Sequence, residues 1–336
     1  MADCRALLNA SISKSTWAKH NSALNCLTKF EVENNKIFEW PLSENVILEF
    51  TSWAICKKGL KHSTVNSYLS SLNFAHKLKG FKDFNCISPL TKAILRGAQN
   101  LDFYKEIAKV SRKAMTLPLL KLAGHEMAKT SMEKLDKLVC WTAMTIAFFG
   151  SFRFGEILSE NEKSYNPLET LMWDDVKFRS DGSCLIKIKI PKSRNPKGEF
   201  IDLFPFSGHG CCPIVNLKKL FEYAKKRNSL DLPVFTLKNG NLMTKSLLNN
   251  LLVKLLTPHM GENAREYSGH SFRAAIASAL ANNTELASDS DIKKWGRWSS
   301  EAYQHYSRLK LEQKRCIFYK ITSVFNGHYP RRPSPS

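Results

Sequence analysis

The sequence predicts a mainly α-helical protein with one small antiparallel sheet, divided into a helical first domain and an α+β second domain. In the first 110 residues, apolar side chains recur at helical spacing behind serines, and no alternating strand pattern is found. After Thr116 the pattern is mixed, and Asp181-Gly182 separates two β-like stretches, which is typical of a hairpin. The hydrophobic content of 43% over 336 residues is enough to build two cores.

The first domain, residues 1–110, is predicted to be a bundle of four or five helices. Gly80 is predicted to end the third helix. The basic stretch Lys105–Ala114 lacks an apolar stripe and is predicted as the linker, with a continued solvated helix as the alternative. Each helix is predicted to begin after a serine cap, and these caps are Ser13 or Ser15, Ser43, Ser63, and Ser88 followed by Pro89.

The second domain is predicted over residues 111–326, and the Pro- and Ser-rich tail 327–336 is predicted to be disordered. A helix from about Ser131 to Gly150 carries the longest apolar run. Three strands are predicted at Trp173–Phe178, Cys184–Ile190 and Phe200–Phe204. The remaining segments have helical patterns: Ile214–Arg227, Lys245–Leu256, Ser271–Asn282, Asp291–Trp295 and Ser300 onward.

The charge of the chain indicates a polyanionic partner. Lys and Arg number 50 against 30 Asp and Glu, giving a formal net charge of +20, and such a balance most often serves nucleic acid. The apolar run Leu138–Phe149 is too short to span a bilayer. Binding to a membrane surface would need a basic amphipathic helix with apolar anchors, and the sequence shows none.

The cysteine pattern and the N-terminus predict an intracellular protein. Nine cysteines occur without a C-x-x-C pair, which favours reduced thiols, and the first residues lack the features of a secretory signal. His209 with Cys211 and Cys212 is the only metal-like cluster, and two adjacent cysteines rarely ligate one zinc ion well. We therefore expect no metal site.

Three short motifs in the second domain carry residues suited to chemistry. Arg153 follows the long apolar helix, with Glu156 three residues on. In YSGHSFRAAIASAL, His270 and Arg273 are spaced to share one helix face. The segment WGRWSSEAYQHYSR then places Tyr306 eight residues after Trp298. Each motif alone is weak, because a surface ion pair or a core tyrosine explains it as well.

In this order, and with a basic hairpin between the first two motifs, they resemble the tyrosine recombinase and integrase family. The resemblance covers nearly all of the chain, since the helical first domain resembles that family's core-binding domain and the second its catalytic domain. The form GRWSSEAYQHY is most similar to recombinases of eukaryotic mobile elements of the DIRS-like and Crypton-like kinds.

The resemblance implies that Tyr306 attacks a DNA phosphodiester and becomes joined to the 3′-phosphate. Arg153 and Arg273 would clamp the non-bridging oxygens, because planar guanidinium groups match them in pairs. His270 would bind a phosphate oxygen or move the tyrosine's proton. Tyr303, one helical turn earlier, is a weaker alternative nucleophile.

The family uses a lysine on the turn between its second and third strands to protonate the departing 5′-oxygen. Lys192 is the candidate here, followed by Ser193 where the family usually has threonine. Lys189 and Lys197 are the alternatives.

A supporting glutamate and one further catalytic position, Trp298, complete the predicted site. Glu156 is expected to orient Arg153 or His270. The position that the family fills with His or Trp is taken here by Trp298, with Arg297 as the alternative.

The implied enzyme is a site-specific DNA recombinase for mobile-element integration or excision, acting on double-stranded DNA as a tetramer, in the nucleus if the element is eukaryotic. It needs no cofactor, metal or ATP. Leu309–Phe325 is expected to dock into a neighbouring protomer or on its own domain. The rival interpretations are a type IB topoisomerase and a DNA-binding protein that has lost activity.

Overall fold

The protein was analysed in a computed structural model, which describes residues 3, 7, 11–104, 113–189, 198–206, 210–281 and 289–297. The chain divides into two compact units, Met1–Lys109 and Val110–Ser336. Within the described residues, no helix is both long enough and apolar enough to cross a membrane.

Four helices make up the described part of the first unit. They are α1 (Lys14–Glu33), α2 (Glu44–Cys56), α3 (His62–Leu78) and α4 (Pro89–Tyr104).

The serine caps predicted for α1, α2 and α4 are confirmed. Ser13, Ser43 and Ser88 each accept a hydrogen bond from the backbone N–H three residues on. The prediction for α3 was wrong, since Ser63 lies inside the helix and Lys61 is its N-cap. Gly80 follows α3 with a φ of 97°, as a helix-ending glycine should.

A buried histidine lies among the apolar side chains of this first unit. The Nε2 atom of His76 accepts from the backbone N–H of Leu42 at 3.1 Å, so Nδ1 donates to the carbonyl of Leu72 at 2.7 Å. Its ring stacks on Phe84 with centroids 4.2 Å apart. Burial lowers the pKa of His76, and the hydrogen bond to Leu72 only partly opposes this. The ring is therefore neutral in the folded unit.

The second unit combines helices with a three-stranded sheet. In chain order its elements are α5 (Leu117–Lys129), α6 (Lys134–Phe149), α7 (Phe154–Ile157), β1 (Val176–Phe178), β2 (Cys184–Ile188), β3 (Glu199–Leu203), α8 (Pro213–Lys226), α9 (Lys245–Met260), α10 (Gly269–Ala281) and α11 (Asp289–Gly296). Short 3₁₀ turns cover Trp173–Asp175 and Gly261–Glu266.

The sheet has the order β1-β2-β3 with both pairs antiparallel, so the predicted fold class is confirmed. Phe178 pairs with Cys184 across the Asp181-Gly182 turn. The first predicted strand was too long, because Trp173–Asp175 forms a turn in which the Asp175 carboxylate accepts from the N–H of Met172 at 2.8 Å.

Helix α5 was not predicted. Its N-cap Thr116 accepts from the N–H of Leu119 at 3.4 Å, and Pro118 occupies its first turn. These are ordinary start signals that the sequence does carry. Residues 105–112, the predicted end of the second strand at Ile190, Asn282, and the segment from Ser300 through the tail lie outside the described residues.

Candidate active site

The turn between α6 and α7 presents Arg153. Gly150 ends α6, and a Cβ atom there would lie 2.3 Å from the ring of Phe152, so only glycine lets that ring fold back beneath the helix. Ser151 follows with a φ of 50°. Phe152 is fully buried, and Arg153 is left at the N-cap of α7 with 26% of its side chain exposed.

Glu156 is the acidic centre of the site. Its carboxylate is 6% exposed and accepts from both the backbone N–H of Arg153 at 2.9 Å and the Nη1 of Arg153 at 2.6 Å. Burial alone would raise the pKa of Glu156, but the charge of Arg297 and the N–H and charge of Arg153 outweigh it. The pKa is lowered overall, so the carboxylate is ionised.

Arg273 lies on α10 and is completely buried. Its Nη1 donates to the carbonyl of Ser151 at 3.1 Å and lies 4.0 Å from Glu156, while its Nη2 donates to the carbonyl of Arg297 at 2.9 Å. Burial, with the charges of Arg153 and Arg297, lowers the pKa of Arg273 to about 9. Its guanidinium is therefore still a cation at neutral pH.

Arg297 follows α11 with a φ of 54° and joins the same cluster. Its Nη2 donates to Glu156 at 3.0 Å and to the carbonyl of Ser151 at 2.9 Å, and its guanidinium lies over the ring of Phe152. Only 12% of the side chain is exposed. Of the two alternatives that the sequence left open, Arg297 is in the site, and Trp298 lies outside the described residues.

Two groups of the site were missed by sequence reasoning. Glu199, at the start of β3, lies 3.5 Å from the Nη1 of Arg297. The carbonyl of Ser151 accepts from both Arg273 and Arg297. Neither contact has a short-range signal, since Glu199 and Ser151 are 98 and 146 residues from Arg297 in the chain.

His270 and Arg273 differ sharply in environment although they share α10. His270 is exposed at the first turn of the helix, and its backbone N–H donates to the Oγ of Ser268 at 3.4 Å. Arg273 points into the buried cluster. His270 is thus exposed at the start of α10, whereas Arg273 lies in the buried cluster one turn later.

Close packing holds α10 against α7. A Cβ atom on Gly269 would lie 2.5 Å from the ring of Phe154, and the N–H of Gly269 donates to the Asn249 side chain at 2.7 Å. The rings of Phe154 and Phe272 contact each other with centroids 5.0 Å apart. The glycine therefore allows the approach that brings Arg273 to Glu156.

Lys189, which the sequence left as an alternative to Lys192 for the general acid, is occupied by other contacts. Its Nζ lies 2.6 Å from the buried carboxylate of Asp175 and donates to the carbonyls of Pro167 and Thr170. An ammonium with three such partners has no donor left for a leaving group. The other predicted residues, Lys192, Lys197, Trp298, Tyr303 and Tyr306, lie outside the described residues.

The described cluster suits an anion. The guanidinium groups of Arg153, Arg273 and Arg297 outnumber the carboxylates of Glu156 and Glu199, so the group carries net positive charge. Preorganised guanidinium groups in a buried setting stabilise negative charge strongly.

No protein-family profile matches the chain, and no curated protein matches it. Solved structures do. The Tn1549 transposon integrase in complex with transposon right end DNA has a TM-score of 0.64 at 12% identity, covering 95% of this chain and 98% of that one. A lambda integrase dimer bound to a COC′ core site has a TM-score of 0.55 at 14% identity, covering 90% and 74%.

The XerH site-specific recombinase bound to palindromic difH substrate has a TM-score of 0.52 at 15% identity, covering 85% of this chain and 73% of that one. The chain has the tyrosine recombinase fold. The resemblance inferred from the three motifs is thus confirmed at the level of fold. Within the tyrosine recombinases, the likeness to DIRS-like and Crypton-like elements stays a prediction.

Proposed function

We propose that this protein is a tyrosine-type DNA recombinase that cleaves and rejoins DNA strands through a 3′-phosphotyrosine bond at Tyr306. The observation that carries the proposal is the convergence of Arg153, Arg273 and Arg297 on Glu156 within a tyrosine recombinase fold. Such a cluster neutralises charge that develops on a phosphate and requires no metal for that purpose.

In the proposed reaction, the hydroxyl oxygen of Tyr306 forms a bond to phosphorus as the bond from phosphorus to the 5′-oxygen breaks. The tyrosine proton passes to His270 or to solvent, and Lys192 protonates the departing 5′-oxygen. Rejoining reverses these steps with a 5′-hydroxyl as the nucleophile. The energy of the broken bond is kept in the phosphotyrosine ester, so no ATP is consumed.

The two arginines of the predicted clamp have different access to a phosphate. Arg153 is 26% exposed and offers its guanidinium directly, whereas Arg273 has no exposed surface. The proposal therefore requires a rearrangement on DNA binding that uncovers Arg273. Before that rearrangement, Arg153 is the arginine of the pair that a phosphate can reach.

We also propose the finer role of mobile-element integration or excision by a tetramer, in the nucleus if the host is eukaryotic. Support comes from the similar fold of the Tn1549 transposon integrase and from a lambda integrase tetramer bound to a Holliday junction, which has a TM-score of 0.52 and 15% identity to this chain, covering 90% of this chain and 74% of that one. Exchange between two duplexes cuts four strands, which requires four active sites.

The proposal is tested with a nicked suicide DNA substrate that traps the covalent adduct. Wild-type protein should form an adduct that survives denaturing electrophoresis, and Tyr306→Phe should form none, whereas Tyr303→Phe should still form it. If Tyr306→Phe keeps the adduct, another residue is the nucleophile. If wild type forms none while still binding DNA, the protein is a DNA-binding protein without activity.

A second assay separates recombination from strand relaxation. Two labelled duplexes are mixed with the protein, and exchange of labels between them is followed beside relaxation of a supercoiled plasmid. Recombination predicts exchange of labels. Relaxation without exchange would identify a type IB topoisomerase activity instead.

A further inference from the structure

The turn that joins β2 to β3 carries Lys192, and both of its ends are fixed by contacts of their own. We name Ile188, Lys189, Gly198 and Glu199 the turn base. Ile188 and Glu199 are the last pair in the register of the two strands. Whatever conformation residues 190–197 adopt, they start and finish at this base.

On the β2 side, Lys189 anchors the strand to the loop before β1. Its Nζ lies 2.6 Å from Asp175, 2.7 Å from the carbonyl of Pro167 and 3.1 Å from that of Thr170. The lysine side chain is 19% exposed and that of Asp175 is buried. A hydrogen-bonded pair shielded in this way holds its geometry far better than a surface ion pair.

On the β3 side, the base is held by a close backbone approach and a second ion pair. Gly198 has a φ of 75°, and a Cβ atom there would lie 2.6 Å from the carbonyl oxygen of Ile188. The neighbouring Glu199 pairs with Arg297 of the arginine cluster at 3.5 Å. The turn is thereby connected to the segment that leads toward Tyr306.

We propose that Lys189 is a positioning residue for the general acid Lys192, an inference that rests on the proposed function. A general acid works only within hydrogen-bond reach of the atom it protonates, and a lysine on a turn depends on its backbone for that reach. Lys192 is three residues beyond the anchored ammonium. Releasing Lys189 from Asp175 loosens the end of β2 and with it the placement of Lys192.

The test uses a DNA substrate with sulfur in place of the bridging 5′-oxygen at the cleavage site. With this substrate, Tyr306 displaces a thiolate, whose conjugate acid has a pKa near that of cysteine, about 8.5, and which leaves without a proton. With the normal substrate, the leaving alkoxide needs the proton from Lys192. A defect in delivering that proton is therefore removed by sulfur, and a defect in the phosphate clamp is not.

Single-turnover cleavage rates are measured for full-length wild type, Lys192→Ala, Lys189→Met, Lys189→Arg and Lys187→Met. We expect Lys192→Ala to lose about 100-fold or more on the oxygen substrate and Lys189→Met about 10- to 100-fold, with both within about threefold of wild type on sulfur. Lys189→Arg, which keeps the pair with Asp175, should cleave both substrates within about threefold of wild type. Lys187→Met, the matched loss of charge two residues earlier on β2, should behave like wild type.

The results separate the inference from the function beneath it. If wild type cleaves neither substrate, the proposed function fails. If wild type cleaves and Lys192→Ala is not rescued by sulfur, Lys192 is not the general acid, and the positioning role of Lys189 is wrong with it. If Lys192→Ala is rescued and Lys189→Met retains full activity on oxygen, or Lys187→Met falls equally, the positioning role is wrong. If Lys189→Met does not fold, Asp175→Asn, which weakens the same pair from the other side, decides. Loss on oxygen that sulfur restores supports positioning, and wild-type cleavage of oxygen, or a loss that sulfur does not restore, overturns it.

Discussion

The two units of the chain bury polar groups in opposite ways. In the first unit, His76 is fully buried and neutral, and both ring nitrogens have backbone partners. In the second unit, Arg273 is equally buried but charged, and it shares the carboxylate of Glu156 with two other arginines. A buried neutral group with all its hydrogen bonds is a stable end state, whereas a buried cluster with excess positive charge costs free energy.

The difference shows which unit holds a buried group whose charge is not balanced among the described residues. Both hydrogen bonds of the His76 ring are made to backbone groups of the first unit, and they fix the orientation of the ring in its core. The described arginine cluster carries net positive charge, which favours an anion, and we propose that this anion is a DNA phosphate. The changes below act on the charged cluster, on the packing that supports it, or on His76, and the expected effects decrease in that order.

Arg273→Ala should have the largest effect. Removing the buried guanidinium takes away a proposed phosphate donor and leaves Glu156 with one cation fewer, so cleavage should fall by about 1,000-fold. Single-turnover cleavage of a suicide substrate measures this. Arg265→Ala removes an exposed arginine paired with Glu262 and is the matched control, with activity expected to stay at the wild-type level. Comparable losses in the two variants would contradict a specific role for Arg273.

Glu156→Gln should lower the free energy of unfolding by about 2–4 kcal/mol, because it leaves three guanidinium groups without their shared carboxylate. The lowered pKa of Glu156 adds a pH signature. Its contribution is complete above the unfolded value, about 4.3, and is lost as the pH falls through the folded value. Urea unfolding at several pH values measures both effects.

The exposed Glu162→Gln is the control for that experiment and should leave stability unchanged. DNA binding by Glu156→Gln should persist, since the substitution removes a negative charge, while cleavage falls. Unchanged stability in Glu156→Gln would show that the carboxylate does not hold the cluster together.

Gly269→Ala should cost about 1–3 kcal/mol of stability and also reduce cleavage, because the new Cβ atom meets the Phe154 ring at 2.5 Å and pushes α10 away from α7. Gly155→Ala, on the same short helix as Phe154, meets nothing within 4 Å and is the matched control. Thermal unfolding and suicide-substrate cleavage are measured together. Equal stability of the two variants would refute the close-packing explanation.

Acidification should selectively weaken the first unit, with the smallest effect of the four. Because the folded-state pKa of His76 is lowered, its stabilising contribution is present above the unfolded value of about 6.5 and is lost as the pH falls below it. Protonation of Nε2 would place its new N–H group against the backbone N–H of Leu42, and the hydrogen bond between them would be lost. Hydrogen exchange between pH 7.5 and 5.5 should show earlier opening of the first unit, and His76→Gln should remove that dependence.

Much of the fold was predictable because its signals are local. Serine caps located the starts of α1, α2 and α4, and Asp181-Gly182 located the hairpin. Helix α5 was missed although Thr116 and Pro118 mark its start and its buried residues Leu120, Ala123 and Met127 have helical spacing. The late start of β1 depends on the side chain of Asp175, which a pattern of apolar residues does not report.

For the site, the sequence predicted which residues belong to it, from their types and their order along the chain, but not the contacts between them. The motifs indicated Arg153, Glu156 and Arg273, and the structure brings these three together. The contacts of Arg297 with Ser151 and Glu199 depend on chain folding across more than 90 residues. The pairing of Lys189 with Asp175 is a local contact between the end of β2 and the turn before β1, and the position of Lys189 beside a basic turn does not indicate it.

The central claim is tested most directly by identifying the residue that carries DNA. Wild-type protein is trapped on the suicide substrate, the DNA is trimmed with nuclease, and the peptides are sequenced by mass spectrometry. The account predicts a nucleotide 3′-phosphate on Tyr306 in the peptide that contains both Tyr303 and Tyr306, with fragmentation assigning the site. Modification of Tyr303 or of any other residue, or no modified peptide at all, would contradict it.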